Sequence, residues 1–202
     1  IHPTKLGQLA FHEPISKSEQ MKVFEDPKPN HIYAICVDTS RGIGNDYSAF
    51  VVIDCSVVPY KVVATFRSNI IAPMLYPNII YEAGKKYNNA YCLVEINDIG
   101  QQVADILHHD LEYEFIMTAQ WRGRAGQIVN AGFGGGQQQM GVRTTKQLKR
   151  VGCATLKTII ENDKLEINDF DNDNTQELIL YTSSSGGSGI QVKNKIFLDT
   201  TD

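Results

Sequence analysis

His31-Ile-Tyr-Ala-Ile-Cys-Val-Asp38-Thr-Ser-Arg-Gly-Ile-Gly-Asn-Asp46-Tyr-Ser-Ala-Phe-Val-Val-Ile-Asp54 decides how the rest of the chain is read. Two apolar, β-branched runs of strand length flank a connection rich in Gly and Asn, which predicts an antiparallel hairpin whose first strand ends at Asp38. Aspartate is depleted in strands, and a carboxylate near a sheet core is costly unless it is paired or holds a metal. On its own, Asp38 reads equally as the residue that starts a turn. A second acid weighs on the choice. In Ala90-Tyr-Cys-Leu-Val-Glu95-Ile-Asn-Asp98 another short apolar strand ends in Glu95, so two strands bring two carboxylates to one sheet edge. Such a pair is the usual way to hold Mg²⁺ or Mn²⁺, hard cations that prefer oxygen ligands.

Working outward, residues 1–30 carry Pro3, Pro14, Pro27 and Pro29 and no sustained period, and read as an irregular lead-in packed on a domain that spans 31–202. After the hairpin, Tyr60 to Arg67 predicts a third strand and hence an antiparallel meander. Pro73 to Lys86 has apolar residues at helical spacing with Pro73 suited to the first turn. A strand, helix, strand passage of this length predicts that the Glu95 strand is a parallel neighbour in the same sheet. Ile99 to His109 predicts a helix with Asp98 as N-cap, and Phe115 to Met117 a short strand. From about 118 to 142 the pattern dissolves into Arg122-Gly-Arg124, a Gly run and Gln137-Gln-Gln139, read as a mobile insertion. That Gly run lacks the Gly-Lys-Ser/Thr ending of a phosphate-cradling loop. Thr145 to Asn162 is the clearest helix, with Leu148, Val151, Ala154, Thr155, Ile159 and Ile160 as its apolar stripe. Beyond it come an edge strand at Lys164 to Ile167, a short helix at Asn174 to Tyr181, and a last strand at Ile190 to Leu198.

A length of 202 residues suits one domain with a sizeable core. The net charge of -4, from Lys+Arg 19 against Asp+Glu 23, is not a nucleic-acid signature, so a DNA contact requires a local basic patch. Cys36, Cys55, Cys92 and Cys153 are widely spaced without a CxxC pair, which predicts free thiols and no structural zinc. Neither a signal peptide nor a membrane-length apolar run is present, so neither secretion nor a membrane is expected. The first residue is Ile1, which reads as a piece of a longer polypeptide. The five histidines read as surface residues, and the adjacent pair His108 and His109 has no ligand spacing on a helix.

The lead-in Leu9-Ala-Phe11-His-Glu-Pro14, the turn Val37-Asp38-Thr-Ser-Arg-Gly42-Ile-Gly-Asn-Asp46 and Val94-Glu95-Ile-Asn97-Asp-Ile-Gly100 form an ordered set. It continues through Asp110-Leu-Glu-Tyr-Glu114, Thr145-Lys146, Val151-Gly-Cys-Ala-Thr-Leu156-Lys and Ile160-Glu-Asn-Asp-Lys164-Leu. From about Leu9 to Asp163 the sequence resembles the nuclease domain of the large terminase subunit, the DNA-packaging motor protein of tailed bacteriophages, contractile-tail type. That resemblance implies an α/β, RNase H-like fold with a central mixed sheet, antiparallel first three strands and helices on both faces. It implies an acidic triad that binds divalent metal, matching Asp38 and Glu95. The family's third acid lies in a His-Asp-Asp type motif that opens a helix. Here the chain has Thr201-Asp202 and no such motif, which makes Asp202 the candidate and Asp199 the fallback, with Asp46 in a supporting role.

The resemblance further implies endonucleolytic hydrolysis of concatemeric double-stranded DNA with little sequence preference, by a two-metal mechanism with two Mg²⁺ or Mn²⁺ ions. Candidate phosphate contacts are Arg41, Arg122, Arg124, Arg143, Lys146, Lys149 and Arg150. Expected partners are an ATPase domain preceding Ile1, the portal ring and the small terminase subunit, in the host cytoplasm and transiently at the prohead portal. A resolvase-type RNase H-like nuclease and a non-catalytic DNA or portal docking module are the competing readings.

Overall fold

The hairpin quoted above forms, and the sheet grows from it on both sides. Residues 1–6, 9, 12–120 and 138–168 are described in the structure, a computed structural model. In chain order the elements are α1 (Pro3–Leu6), β1 (Ser16–Lys17), β2 (Met21–Val23), β3 (Tyr33–Asp38), β4 (Ser48–Asp54) and β5 (Tyr60–Ser68). Then follow α2 (Tyr76–Lys86), β6 (Tyr91–Val94), α3 (Gly100–Asp105), β7 (Thr118–Gln120), β8 (Gln138–Met140), α4 (Lys146–Glu161) and β9 (Leu165–Glu166). The main sheet runs β1-β2-β5-β4-β3-β6, with β9 pairing with the start of β5. The strands β3, β4 and β5 pair antiparallel in sequence, whereas β6 joins β3 in parallel after α2 crosses over.

Strand alternation sorts the side chains. Tyr33, Ile35 and Val37 pair with Asp54, Val52 and Phe50 of β4, and Val37 also with Val94 of β6. All but Asp54 are apolar and buried, and Asp54 is buried with them. This face receives α2, whose Tyr76, Ile80 and Ala83 are buried at i, i+4 and i+7. The Phe50 and Phe66 rings stack with centroids 5.1 Å apart, and Tyr76 lies 5.6 Å from Phe66. Burying each such ring is worth roughly 1.5–3 kcal/mol, so this layer is the core that fixes the sheet's register. By the same alternation Asp38 and Glu95 fall on the opposite face.

Several expectations are corrected. The helix opens at Tyr76 with Pro77 in its first turn, not at Pro73, because Tyr76 is the residue that docks on the Phe50 and Phe66 rings. Asp98 does not cap α3; it stands at φ 51° and its carboxylate goes to Arg41, a charge-assisted fork that outcompetes a neutral cap. The helix predicted to His109 is regular only to Asp105, then widens into a π turn over Ile106–Asp110. The strand predicted at Phe115 to Met117 is reduced to one bridge, Ile116 to Cys92.

The lead-in is not wholly irregular. Met21 to Val23 pairs with Phe66 to Ala64, a strand too short for any period to reveal. Val23 and Phe24 are buried, but Ile15 is exposed. In the expected insertion, β7 and β8 pair antiparallel; their Thr and Gln residues carry no apolar alternation to read. Of the predicted stripe on α4 only Ile160 is buried, Leu156, outside that stripe, is the helix's other buried residue, and Val151 is 55% exposed. His31 is half-buried with its Nδ1 2.7 Å from the Asp54 carboxylate, so it is not a bare surface residue. The predicted helix at 174–181, the last strand at 190–198, Phe11 and the Gly run lie outside the described residues.

Candidate metal centre

The register of two strands builds the site. Val37 and Val94 are partners in the parallel β3–β6 ladder, and the Glu95 N–H donates to the Val37 carbonyl at 2.9 Å. The next residue on each strand is an acid. Asp38 and Glu95 therefore stand side by side at the ends of neighbouring strands, on one face, 6% and 7% exposed. Neighbouring strands are about 4.8 Å apart, so the two carboxylates share one small volume.

Each acid is held locally. The Thr39 N–H donates to Asp38 Oδ1 at 2.9 Å, and Asn97 Nδ2 donates to Glu95 Oε1 at 2.9 Å while reaching the Thr144 carbonyl at 3.3 Å. Val142 bridges to Glu95, so the chain entering α4 borders the site. Gly100 sits against the Glu95 carbonyl and Thr39 Oγ1, where a Cβ would collide with both. Its missing side chain lets the first turn of α3 close over both acid-bearing strand ends.

The β3–β4 connection is similarly fixed. Ser40 Oγ donates to the Asp46 carbonyl at 2.9 Å, and Gly44 N–H donates to the Asn69 carbonyl at 2.8 Å. Gly42, at φ +67°, packs against the Ile71 carbonyl, where only glycine fits. Arg41 forks onto Asp98 at 2.9 and 2.8 Å, tying this loop to the one after Glu95. That hydrogen-bonded guanidinium holds the Asp98 carboxyl below its ordinary range.

Two buried carboxylates with fixed orientations on adjacent strands are a donor set for hard divalent cations. Among the described residues no cluster of three His, Cys, Asp or Glu gathers. A depression of about 500 Å³ begins at Asp98 and runs along α3 to Asp110, and neither acid lines it.

A family model described as "Terminase RNaseH-like domain" matches residues 35–196. The chain belongs to that family. Among solved structures, this terminase RNase H-like domain is similar to the large terminase nuclease of thermophilic phage G20c with bound magnesium, at TM-score 0.60 and 18% identity over 82% of this chain and 73% of that one. The same nuclease with bound zinc matches at TM-score 0.59 and 19% identity, over 82% and 80% of the two chains. The Thermus phage P74-26 large terminase nuclease domain matches at 0.57 and 18%, over 82% and 71%. The RNase H-like α/β fold with its mixed sheet is shared by all three.

Within the terminase RNase H-like domain the expected site residues separate into groups. Asp38 and Glu95 come together. Asp46 is exposed and enters the loop through its backbone carbonyl. Arg143 follows the Glu95 bridge directly, and Lys146, Lys149 and Arg150 continue it along the first turns of α4, capped by Thr145. Arg41 is exposed but engaged with Asp98. Arg122, Arg124, Asp199 and Asp202 lie outside the described residues. Asn97 and Gly100 were quoted in the motif without a role; their part, orienting Glu95 and admitting α3, depends on contacts that only the fold creates.

Proposed function

We propose that this chain is a divalent-metal-dependent endonuclease domain of a viral DNA-packaging motor, hydrolysing phosphodiester bonds of concatemeric double-stranded DNA with little sequence preference. The observation that carries the reading is the Val37–Val94 register, which sets Asp38 and Glu95 side by side and buried at one sheet edge. The magnesium and zinc bound by the similar G20c nuclease support a divalent cofactor.

When bound, a pair of Mg²⁺ or Mn²⁺ ions supplies an activated water and charge neutralisation at the leaving oxygen. Asp38, between β4 and β6, would hold these ions together with Glu95, which Asn97 orients; Asp202, with Asp199 as the alternative, is our candidate for the third ligand. Thr39 N–H fixes the Asp38 carboxylate, and Gly100 keeps α3 against both strand ends. Arg143, Lys146, Lys149 and Arg150 approach the duplex through phosphates, which positions it without reading sequence. Arg122 and Arg124 are further candidates for such contacts. In the complete protein an ATPase domain precedes this one, and the portal ring and small terminase subunit are its partners in the host cytoplasm.

Plasmid nicking tests the proposal. The chain with Mg²⁺ or Mn²⁺ converts supercoiled to relaxed and linear DNA, and both chelation and Asp38→Asn abolish this. Nicking by Asp38→Asn at the wild-type rate rejects it.

A further inference from the structure

Two connections at the acid-bearing end of the sheet leave apolar side chains uncovered. The β3–β4 connection starts from Asp38 and carries Ile43, 69% exposed; the β5–α2 connection carries Ile70, 70% exposed, with Met74 and Leu75 also exposed ahead of α2. Strands β3 and β5 are each antiparallel to β4, so both connections emerge at the end where Asp38 and Glu95 stand. Gly44 N–H donates to the Asn69 carbonyl at 2.8 Å, Asn69 Nδ2 donates to the Gly44 carbonyl at 3.2 Å, and Gly42 packs on the Ile71 carbonyl. Ile43 and Ile70 therefore sit on adjoining backbones. Each connection also hangs on a buried serine: Gly42 N–H donates to Ser40 Oγ at 3.3 Å, and Ile71 N–H to Ser68 Oγ at 3.2 Å. A fixed, uncovered apolar patch of this kind marks a binding surface.

We propose that Ile43 and Ile70 form an apolar wedge that enters the minor groove of double-stranded DNA beside the cut and parts a base step there. This deepens the nuclease reading given above and rests on it. Three observations support the assignment. The ends of β3 and β5 are two strand spacings apart, about 10 Å, so a duplex with a phosphate at the acids passes within reach of both tips. The basic set that opens with Arg143 follows the bridge on the outer edge of β6, where Val142 pairs with Glu95. The acids thus stand between cations that attract the backbone on one side and uncharged apolar tips on the other. From Asn69 to Tyr81 the sequence has no charged residue, so nothing on that connection repels phosphates. The minor groove shows a degenerate pattern of donors and acceptors, and apolar side chains open its base steps without reading that pattern, which fits cutting with little sequence preference. A folded protein seated on the same patch would cover the edge at which the acids must receive their substrate.

Duplexes carrying a fluorescent adenine analogue at several positions test this on the whole chain, in chelator so that no cutting occurs. Wild type is expected to raise the fluorescence as a step unstacks. Ile43→Ala combined with Ile70→Ala is expected to abolish that rise and to weaken binding about tenfold, at an unchanged salt slope because no phosphate contact is lost. Ile43→Met combined with Ile70→Met keeps an apolar wedge and is expected to restore both readouts. Mn²⁺ binding by calorimetry stays at the wild-type value in the alanine variant; a parallel loss there assigns the effect to collapse of the Asp38 connection and overturns the inference. Wild-type affinity and fluorescence in the alanine variant overturn it too, including the case in which that variant differs only by losing self-association, which makes the patch a contact between copies. If the alanine variant does not fold, binding by the wild-type chain without any rise in fluorescence decides against the wedge. In each of these cases nicking by the wild-type chain leaves the nuclease reading standing; a wild-type chain that neither binds nor nicks DNA overturns both.

Discussion

At the scale of single residues, two carboxylates over nine-tenths buried at neighbouring strand ends repel one another, and a bound cation would relieve this. Asp38→Asn removes one charge with almost no change in shape. We expect its melting temperature to match or exceed wild type, while metal-dependent nicking falls by more than about 100-fold, since removing a ligand costs more than removing its hydrogen-bond partner. Asn97→Ala removes such a partner from Glu95; a loss of roughly 10-fold to 100-fold in Mn²⁺ affinity is expected by calorimetry, and an unchanged affinity counts against that role. The acids were legible as strand ends in the sequence, because a carboxylate after four or more apolar residues breaks the strand's chemistry. Nothing in a sequence says, however, that Arg67 of β5 shares a row with Asp38 through Ala49. That depends on the register of two ladders.

At the scale of elements, three buried tyrosines separate packing from hydrogen bonding. Tyr87 OH donates to the Glu25 carbonyl at 2.9 Å and Tyr113 OH to the Ala90 carbonyl at 2.6 Å. Tyr76 OH is buried with no partner among the described residues. Burial, with the nearby Asp38 charge added, pushes its pKa far up, so it stays neutral. Denaturant titration should show Tyr76→Phe unchanged or more stable by about 1 kcal/mol, and Tyr87→Phe and Tyr113→Phe less stable by about the same amount. Gly100→Ala should cost about 1–3 kcal/mol and weaken metal binding, because the added methyl pushes α3 off the Glu95 carbonyl. Equal stability in that variant contradicts the close approach described here. The meander β3 to β5 and the parallel β6 were readable from apolar periodicity, since each buries a regular face, and α4 was readable as a helix. Strands β2, β7 and β8 were not, being three residues each and held by backbone pairing more than by their side chains. The apolar stripe of α4 was readable too, but how much of it is covered depends on what packs there, and periodicity is silent about that.

At the scale of the whole molecule, charge sets two expectations. The net charge of -4 opposes a duplex, so binding depends on the local basic set at α4 and falls steeply with salt. Acid stability follows from carboxylates held in their charged form. Burial alone would raise the Asp54 carboxyl, but hydrogen bonds from Ser56 and His31 outweigh it and hold it below its ordinary value. The Lys28 hydrogen bond lowers Glu25 likewise. Groups with depressed folded-state pKa stabilise the fold above their unfolded values, and this contribution is lost as pH falls through the folded ones. Melting temperature should therefore hold near neutrality and drop below about pH 4, and in Asp54→Asn the drop should be smaller. An equally steep acid loss in Asp54→Asn removes that residue from the account.

The central claim is that Asp38 and Glu95 jointly hold a divalent cation at the β3–β6 edge, and anomalous diffraction from crystals soaked in Mn²⁺ tests it most directly. The account predicts a manganese peak within ligand distance of both an Asp38 Oδ and a Glu95 Oε atom. Well-occupied manganese elsewhere, with both carboxylates unliganded, contradicts it.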